Sequence, residues 1–158
     1  MNIDKQKKSK LSKVKCNDVH RFTLKGVKAI AKVVSVNSGD SCDLVFYRGE
    51  RMVRYKCRLS GYNAPDLDDE PNGELARDYL ASLCTNDGAK IEEFLDDTVI
   101  WTKEELQGKL DANTDLVRAT FGKFRKFNLP LVSLKQFSSK KSINHSMKIF
   151  IERLENDR

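Results

Sequence analysis

Between Ala29 and Leu59 the chain alternates stretches that favour extension with stretches that favour turning, and nothing else in the sequence limits the fold so tightly. Ala29–Val36 (AIAKVVSV) is rich in β-branched side chains and reads as a strand. Asn37-Ser38-Gly39-Asp40 groups four turn formers. Cys42–Tyr47 (CDLVFY) is a second strand with Cys42, Leu44 and Phe46 on one face, and Arg48-Gly49-Glu50 is the next turn. Met52–Leu59 (MVRYKCRL) alternates again. Successive side chains in a strand point to opposite faces, so Val53, Tyr55, Cys57 and Leu59 share one side and Arg54, Lys56 and Arg58 the other. Three strands joined by short turns make an antiparallel meander whose third strand displays a row of cations.

Gly61–Gly73 (GYNAPDLDDEPNG) is loop by composition. Glu74–Cys84 places Leu75, Tyr79, Leu80 and Leu83 at helical spacing, with Asn72 as the expected N-cap and Gly88 as the expected stop. Residues 89–115 are acidic, anchored by Phe94, Leu95, Val99, Ile100 and Trp101, with a short helix expected over Thr102–Leu110. Leu116–Phe121 and Leu131–Leu134 read as two more strands around a basic loop, Gly122–Pro130. In Ser142–Leu154 the apolar residues Ile143, Met147, Phe150, Ile151 and Leu154 are spaced by three and four, the pattern of an amphipathic helix. Five short strands with a helix after the third predict an α+β fold built on a small, partly open barrel over residues 29–158. An acidic insertion at about residues 91–115 interrupts it, and a basic, flexible arm, residues 1–28, precedes it, disordered or loosely attached over residues 1–20.

The chain has 158 residues and a net charge of +6, distributed unevenly. Residues 1–28 hold nine Lys/Arg against two Asp/Glu, residues 29–65 six against three, residues 66–115 four against fifteen, and residues 116–158 ten against three. A polyanion is drawn to the two ends and repelled by the middle. No apolar run approaches the ~18 residues of a membrane span, which excludes a helical membrane protein. The start, MNIDKQKKSK, lacks an apolar core of a secretory signal, and the four cysteines (Cys16, Cys42, Cys57, Cys84) form no C-x-x-C pair. The expectation is an intracellular chain, cytoplasmic or nuclear and not secreted, with core-filling thiols. Cys16 and His20 have half of a zinc spacing and no second half.

Two motifs then carry a resemblance. VVSVNSGDSCDLVF followed by YKCRLSGYNAPDL resembles the staphylococcal-nuclease-like (thermonuclease) family, in which a Gly-Asp-Thr turn between two strands precedes an Arg-Leu strand running into Asp-Thr-Pro-Glu. GELARDYLASL is similar to that family's next helix, FGKFRKFNLPLVSL to its Phe-Asp-Lys-Tyr-Gly-Arg-Leu-Leu segment, and KSINHSM to its last helix start. The resemblance covers roughly residues 29–154 and implies an OB-fold, a five-stranded barrel that cleaves phosphodiester bonds with calcium. In that chemistry two carboxylates hold the hard cation, two arginines clamp the developing charge, and a third carboxylate handles the attacking water.

Carried over position by position, the resemblance implies metal-binding roles for Asp40, Asn63 and the Ala64 carbonyl, and catalytic roles for Arg58 and Asp66. Asn63 replaces an aspartate, Asp66 a longer glutamate, and Leu129 falls where the second arginine is expected. Arg125 or Lys126 could replace that arginine, and Asp43 or Asp68 could add to the ion's ligands. Lys123, Phe124, Arg125, Lys126 and Phe127 interleave cations with aromatics and are the candidate nucleic-acid contact; Tyr47, Tyr55, Tyr62 and Phe121 are further aromatics able to stack a base. Each charged residue also has a plain reading: Asp40 closing a hairpin turn, Arg58 as one of a surface row, Asp66 capping a turn. The resemblance therefore implies a nuclease acting on DNA or RNA with calcium, impaired by Asn63 and Leu129. The alternative is an inactive OB module that binds nucleic acid, or a protein partner through the acidic insertion.

Overall fold

The computed structural model describes residues 5–15, 24–96, 100–125 and 129–156. The three leading strands form as the alternation predicts: β1 Lys28–Ser38, β2 Ser41–Arg48 and β3 Arg51–Leu59. Helix α2, Asn72–Thr85, follows; α3 (Ile91–Leu95) and α4 (Lys103–Ala112) make up the insertion; β4 Val117–Arg125, β5 Leu129–Gln136 and α5 Ile143–Asn156 complete the chain. The strands close in the order β1-β2-β3-β5-β4, and β4 pairs back onto β1. The fold is thus an OB-like closed barrel with flanking helices, where the sequence predicted a partly open one. Two register shifts in β1, at Val33/Ser35 and Val36/Ser38, supply the local bending that closure demands.

All neighbours are antiparallel except β3 and β5, which run parallel over Arg58–Leu131 and Leu59–Val132. Side chains reinforce this short seam: the Ser60 hydroxyl lies 3.4 Å from both the Val132 carbonyl and the Ser133 hydroxyl, and Asn144 spans it. Asn144 at the start of α5 donates from Nδ2 to the carbonyls of Ser60 (2.9 Å) and Val132 (3.0 Å), and its Oδ1 accepts from the Leu134 amide (2.8 Å).

Leu44, Phe46, Cys57, Leu59, Phe121, Val132 and Leu134 fill the barrel, and Leu75, Tyr79, Leu80, Met147, Phe150 and Leu154 from α2 and α5 complete one continuous core. The core begins at Leu24, which is fully buried, ahead of the expected boundary at Ala29. Phe121 and Val27 join there, the Phe121 amide donating to the Val27 carbonyl. In the basic arm, Lys5–Ser12 forms a helix (α1) with no buried residue. Cys16 and His20 lie outside the described residues.

Three local expectations are corrected. Helix α2 already includes Asn72, so Pro71 precedes it and no side chain caps it; the Asn72 Oδ1 is buried without a hydrogen-bond partner. Its end is set by Asn86 in the left-handed region (φ 52°) rather than by Gly88. The expected loop Gly122–Pro130 is shorter, because β4 continues to Arg125 and β5 starts at Leu129.

The acidic insertion is attached, not pendant. Ring centroids run in a chain from Phe150 to Tyr79 (4.5 Å), Tyr79 to Phe94 (5.3 Å) and Phe94 to Trp101 (5.8 Å). Thr102 caps α4 by accepting from the Glu105 amide, and Gln107 donates to the Val34 carbonyl at the bulged part of β1. Beneath them lies a polar knot. Arg77 donates from Nε to Asp78 (3.0 Å) and from Nη2 to the Trp101 carbonyl (2.7 Å), while the Trp101 amide donates to the other Asp78 oxygen (2.9 Å).

Candidate functional site

The candidate residues come from three strand ends and one loop, so their meeting depends on backbone placement. Gly39 sits where a Cβ would lie 2.6 Å from the Ala76 Cβ and 2.8 Å from the Ala64 Cβ, so only glycine lets the β1–β2 turn settle between α2 and the loop after β3. Tyr62 donates its hydroxyl to the Gly39 carbonyl at 2.7 Å. Burial, with the Asp40 carboxylate nearby, pushes that hydroxyl's pKa far up, so it remains a donor. The next residue, Asp40, is fixed through its backbone by the Leu59 amide at 2.8 Å.

On this frame Asp40 is almost fully buried and both its carboxylate oxygens meet donors. Ser38 donates to Oδ1 at 3.0 Å, and the Ala64 amide donates to Oδ2 at 3.0 Å. The Arg58 Nη2 lies 3.3 Å from the same oxygen and donates to the Asn63 Oδ1 at 2.5 Å. Asp40, Arg58, Asn63 and Ala64 therefore meet at one corner of the barrel mouth. Among the described residues only Nη2 of Arg58 is engaged, and about a quarter of its side chain faces solvent. A cleft of about 270 Å3 opens beside it, lined by Arg58, Ser60, Tyr62, Asn63 and Leu131.

Asp66 stands apart from this contact set. It is exposed, and no side-chain partner engages it among the described residues. Its backbone is pinned, however, because a Cβ at Gly73 would lie 2.0 Å from the Asp66 carbonyl oxygen. Leu129 is half-buried at the start of β5, and Pro130 and Val132 face inward. Leu129 and Leu131 therefore share the outward face that borders the cleft beside Arg58.

Of the proposed substitutes, Asp43 is committed elsewhere: Arg54 holds it at 2.8 Å and Asn37 donates to it at 3.1 Å. Asp68 is exposed. Lys123, Phe124 and Arg125 run in the backbone of β4; their side chains, like Lys126 and Phe127 as a whole, lie outside the described residues. Phe121 is buried in the core and Tyr55 stacks on Phe46, so neither offers a face to a base. Tyr47 is 66 % exposed and does.

As a seat for calcium the corner is poorly supplied. Calcium takes about six to eight oxygens, with affinity set by ligand charge. Here one carboxylate and one amide oxygen already accept from Arg58, and among the described residues no group of three or more His, Cys, Asp or Glu side chains is placed to hold a metal. The donor set as it stands does not fit a resident calcium ion; what it fits is an anion brought to the open side of a positioned guanidinium.

The Arg77–Asp78 pair was not singled out by the sequence. Both residues sit on a helix expected to show one apolar face, yet α2 is buried nearly all round because the insertion covers its second side. Burial pushes the Asp78 carboxyl up, and the Trp101 amide and Arg77 only partly offset this. The one available signal was Trp101 inside an otherwise acidic stretch. No protein-family model matches the chain, and no curated protein matches it either.

Proposed function

We propose that this chain is a thermonuclease-like OB domain that grips the phosphodiester backbone of DNA or RNA at the Arg58 corner and hydrolyses it slowly. The observation that carries this reading is the convergence of Asp40, Arg58, Asn63 and Ala64, drawn from two separate motifs, on one corner beside an open cleft. Asp40 orients the guanidinium, leaving Nε and Nη1 to donate to two phosphate oxygens, the bidentate geometry that suits arginine. Asp66, exposed on a pinned backbone, is the group able to orient or deprotonate a water.

The missing pieces set the rate. Losing one preorganised donor costs about 10²–10³ in turnover, and Leu129 supplies none where a second guanidinium is expected. Asn63 removes one negative charge from any cation site. A second reading, a module that binds without cleaving, is favoured by the one feature that neutralises the corner: Arg58 lies on both Asp40 and Asn63.

The test uses labelled single-stranded DNA and RNA, with calcium or with chelator. Binding that falls at least tenfold on Arg58→Ala, together with slow cleavage that the same variant loses, supports the nuclease; the same binding without cleavage supports the second reading. Asn63→Asp with Leu129→Arg is expected to raise cleavage by about 10² or more. If Arg58→Ala binds like the parent and the folded double variant cleaves no faster, both readings fail.

A further inference from the structure

A broad open concavity lies away from the Arg58 corner, on the outer surface of the sheet formed by β2, β1, β4 and β5. It encloses about 650 Å3 and is lined by Lys28 and Ile30 of β1, Tyr47 of β2, Arg118 of β4 and Lys135 of β5. The register makes this a cross-strand row: Ile30 pairs with Arg118, Arg118 with Lys135, and Lys28 with Thr120. No acidic side chain lines the groove, and among the described residues none of the three cations has a carboxylate partner. Arg118 is held in place instead by Phe137, whose ring centroid lies 4.4 Å from the guanidinium carbon and whose carbonyl accepts from Nε. Two large apolar side chains are left in water here, Tyr47 at 66 % and Ile30 at 50 % exposed.

We propose that this groove is a binding track for single-stranded nucleic acid. Spaced cations follow a phosphate backbone, and an exposed aromatic ring takes a base by stacking, the two elements that sequence-tolerant single-strand binding combines. A duplex keeps its base faces inside the stack, so Tyr47 has nothing to stack on there. An acidic peptide satisfies the cations but leaves Tyr47 and Ile30 without a planar partner. The track also has a direction. Leu131, Ser133 and Lys135 share the outward face of β5, so the groove begins ~13 Å from the strand position paired with Arg58, at about 3.3 Å per residue. The groove exists whether or not Arg58 holds a phosphate.

Fluorescence anisotropy decides it, using labelled oligothymidylate and oligouridylate, a duplex of equal length, and polyglutamate, titrated against the full chain over a range of salt. Tyr47→Ala is expected to weaken single-strand binding about tenfold, since one stacked base is worth about 1–3 kcal/mol. The double charge reversal Lys28→Glu with Lys135→Glu is expected to lower the salt slope by about 1.4, two phosphates at about 0.7 each. All three side chains are exposed, so the fold is retained, and circular dichroism checks it. Unchanged affinity in both variants overturns the proposal, as does equal affinity for duplex or polyglutamate. Arg58→Ala separates the two sites: loss only in the groove variants leaves the groove standing and removes the Arg58 reading, and loss only in Arg58→Ala does the reverse.

Discussion

The molecule contains two aspartate–arginine pairs of almost identical chemistry in opposite settings. Asp78 and Arg77 are 3.0 Å apart and nearly inaccessible, with Trp101 closing the ring of hydrogen bonds. Asp40 and Arg58 are 3.3 Å apart at the barrel mouth, where the carboxylate is buried and the guanidinium keeps one side in solvent. In the first pair both carboxylate oxygens and two of the guanidinium nitrogens are engaged by the protein with the arginine buried, so it fastens the insertion to α2. In the second, the carboxylate alone is consumed, which leaves a positioned cation with unspent donors. Burial of the arginine, rather than the pairing itself, separates a fastener from a site.

The comparison can be broken most decisively at the buried pair. Asp78→Ala leaves Arg77 charged and unpaired in the interior and is expected to cost about 3–5 kcal/mol, read from urea unfolding. Arg58→Ala at the open pair leaves the Asp40 carboxylate its Ser38 and Ala64 donors and is expected to cost less, about 1–2 kcal/mol; equal losses would dissolve the distinction. Asn144→Ala removes three hydrogen bonds across the seam beside Arg58, for an expected loss of about 2–3 kcal/mol and weaker oligonucleotide binding. A smaller effect, about 1–3 kcal/mol, is expected from Gly39→Ala, because the added methyl collides with Ala76 and Ala64 and must displace Asp40. A thermal melt measures the stability and anisotropy measures the binding.

A further expectation concerns pH. Burial raises the pKa of the Cys57 and Cys84 thiols to about 12, and raises that of Cys42 as well. The folded state therefore keeps protons that the unfolded chain releases above about pH 9. Stability is unaffected below that value and declines progressively as pH rises from about 9 toward 12. Urea midpoints at pH 8 and pH 10 check the sign.

The barrel was legible because its strands alternate strictly: in β3, Cys57 and Leu59 are buried while Arg54 and Lys56 are exposed, as the period of two dictates. Asp40 and Arg58 were legible because each follows from a short motif at a strand end. Three things were not. Helix α3 spans five residues, too few for a helical period to show. The Arg77–Asp78 knot looks like an ordinary solvated face until the insertion is seen to cover it. The outer groove assembles from four strands whose members, Tyr47, Ile30, Arg118 and Lys135, are scattered over 106 positions, and only register brings them together. Single residues announce themselves locally; neighbourhoods across a sheet do not.

The two-residue junction between β3 and β5 has a mechanical consequence. It has the fewest paired positions of the five joints in the barrel, and its two sides carry Arg58 and Leu131, the walls of the cleft. On the proposed function, a strand of nucleic acid lodged against both walls would act as a splint across the shortest pairing in the barrel, so occupying the mouth and keeping the cylinder shut would draw on the same few atoms.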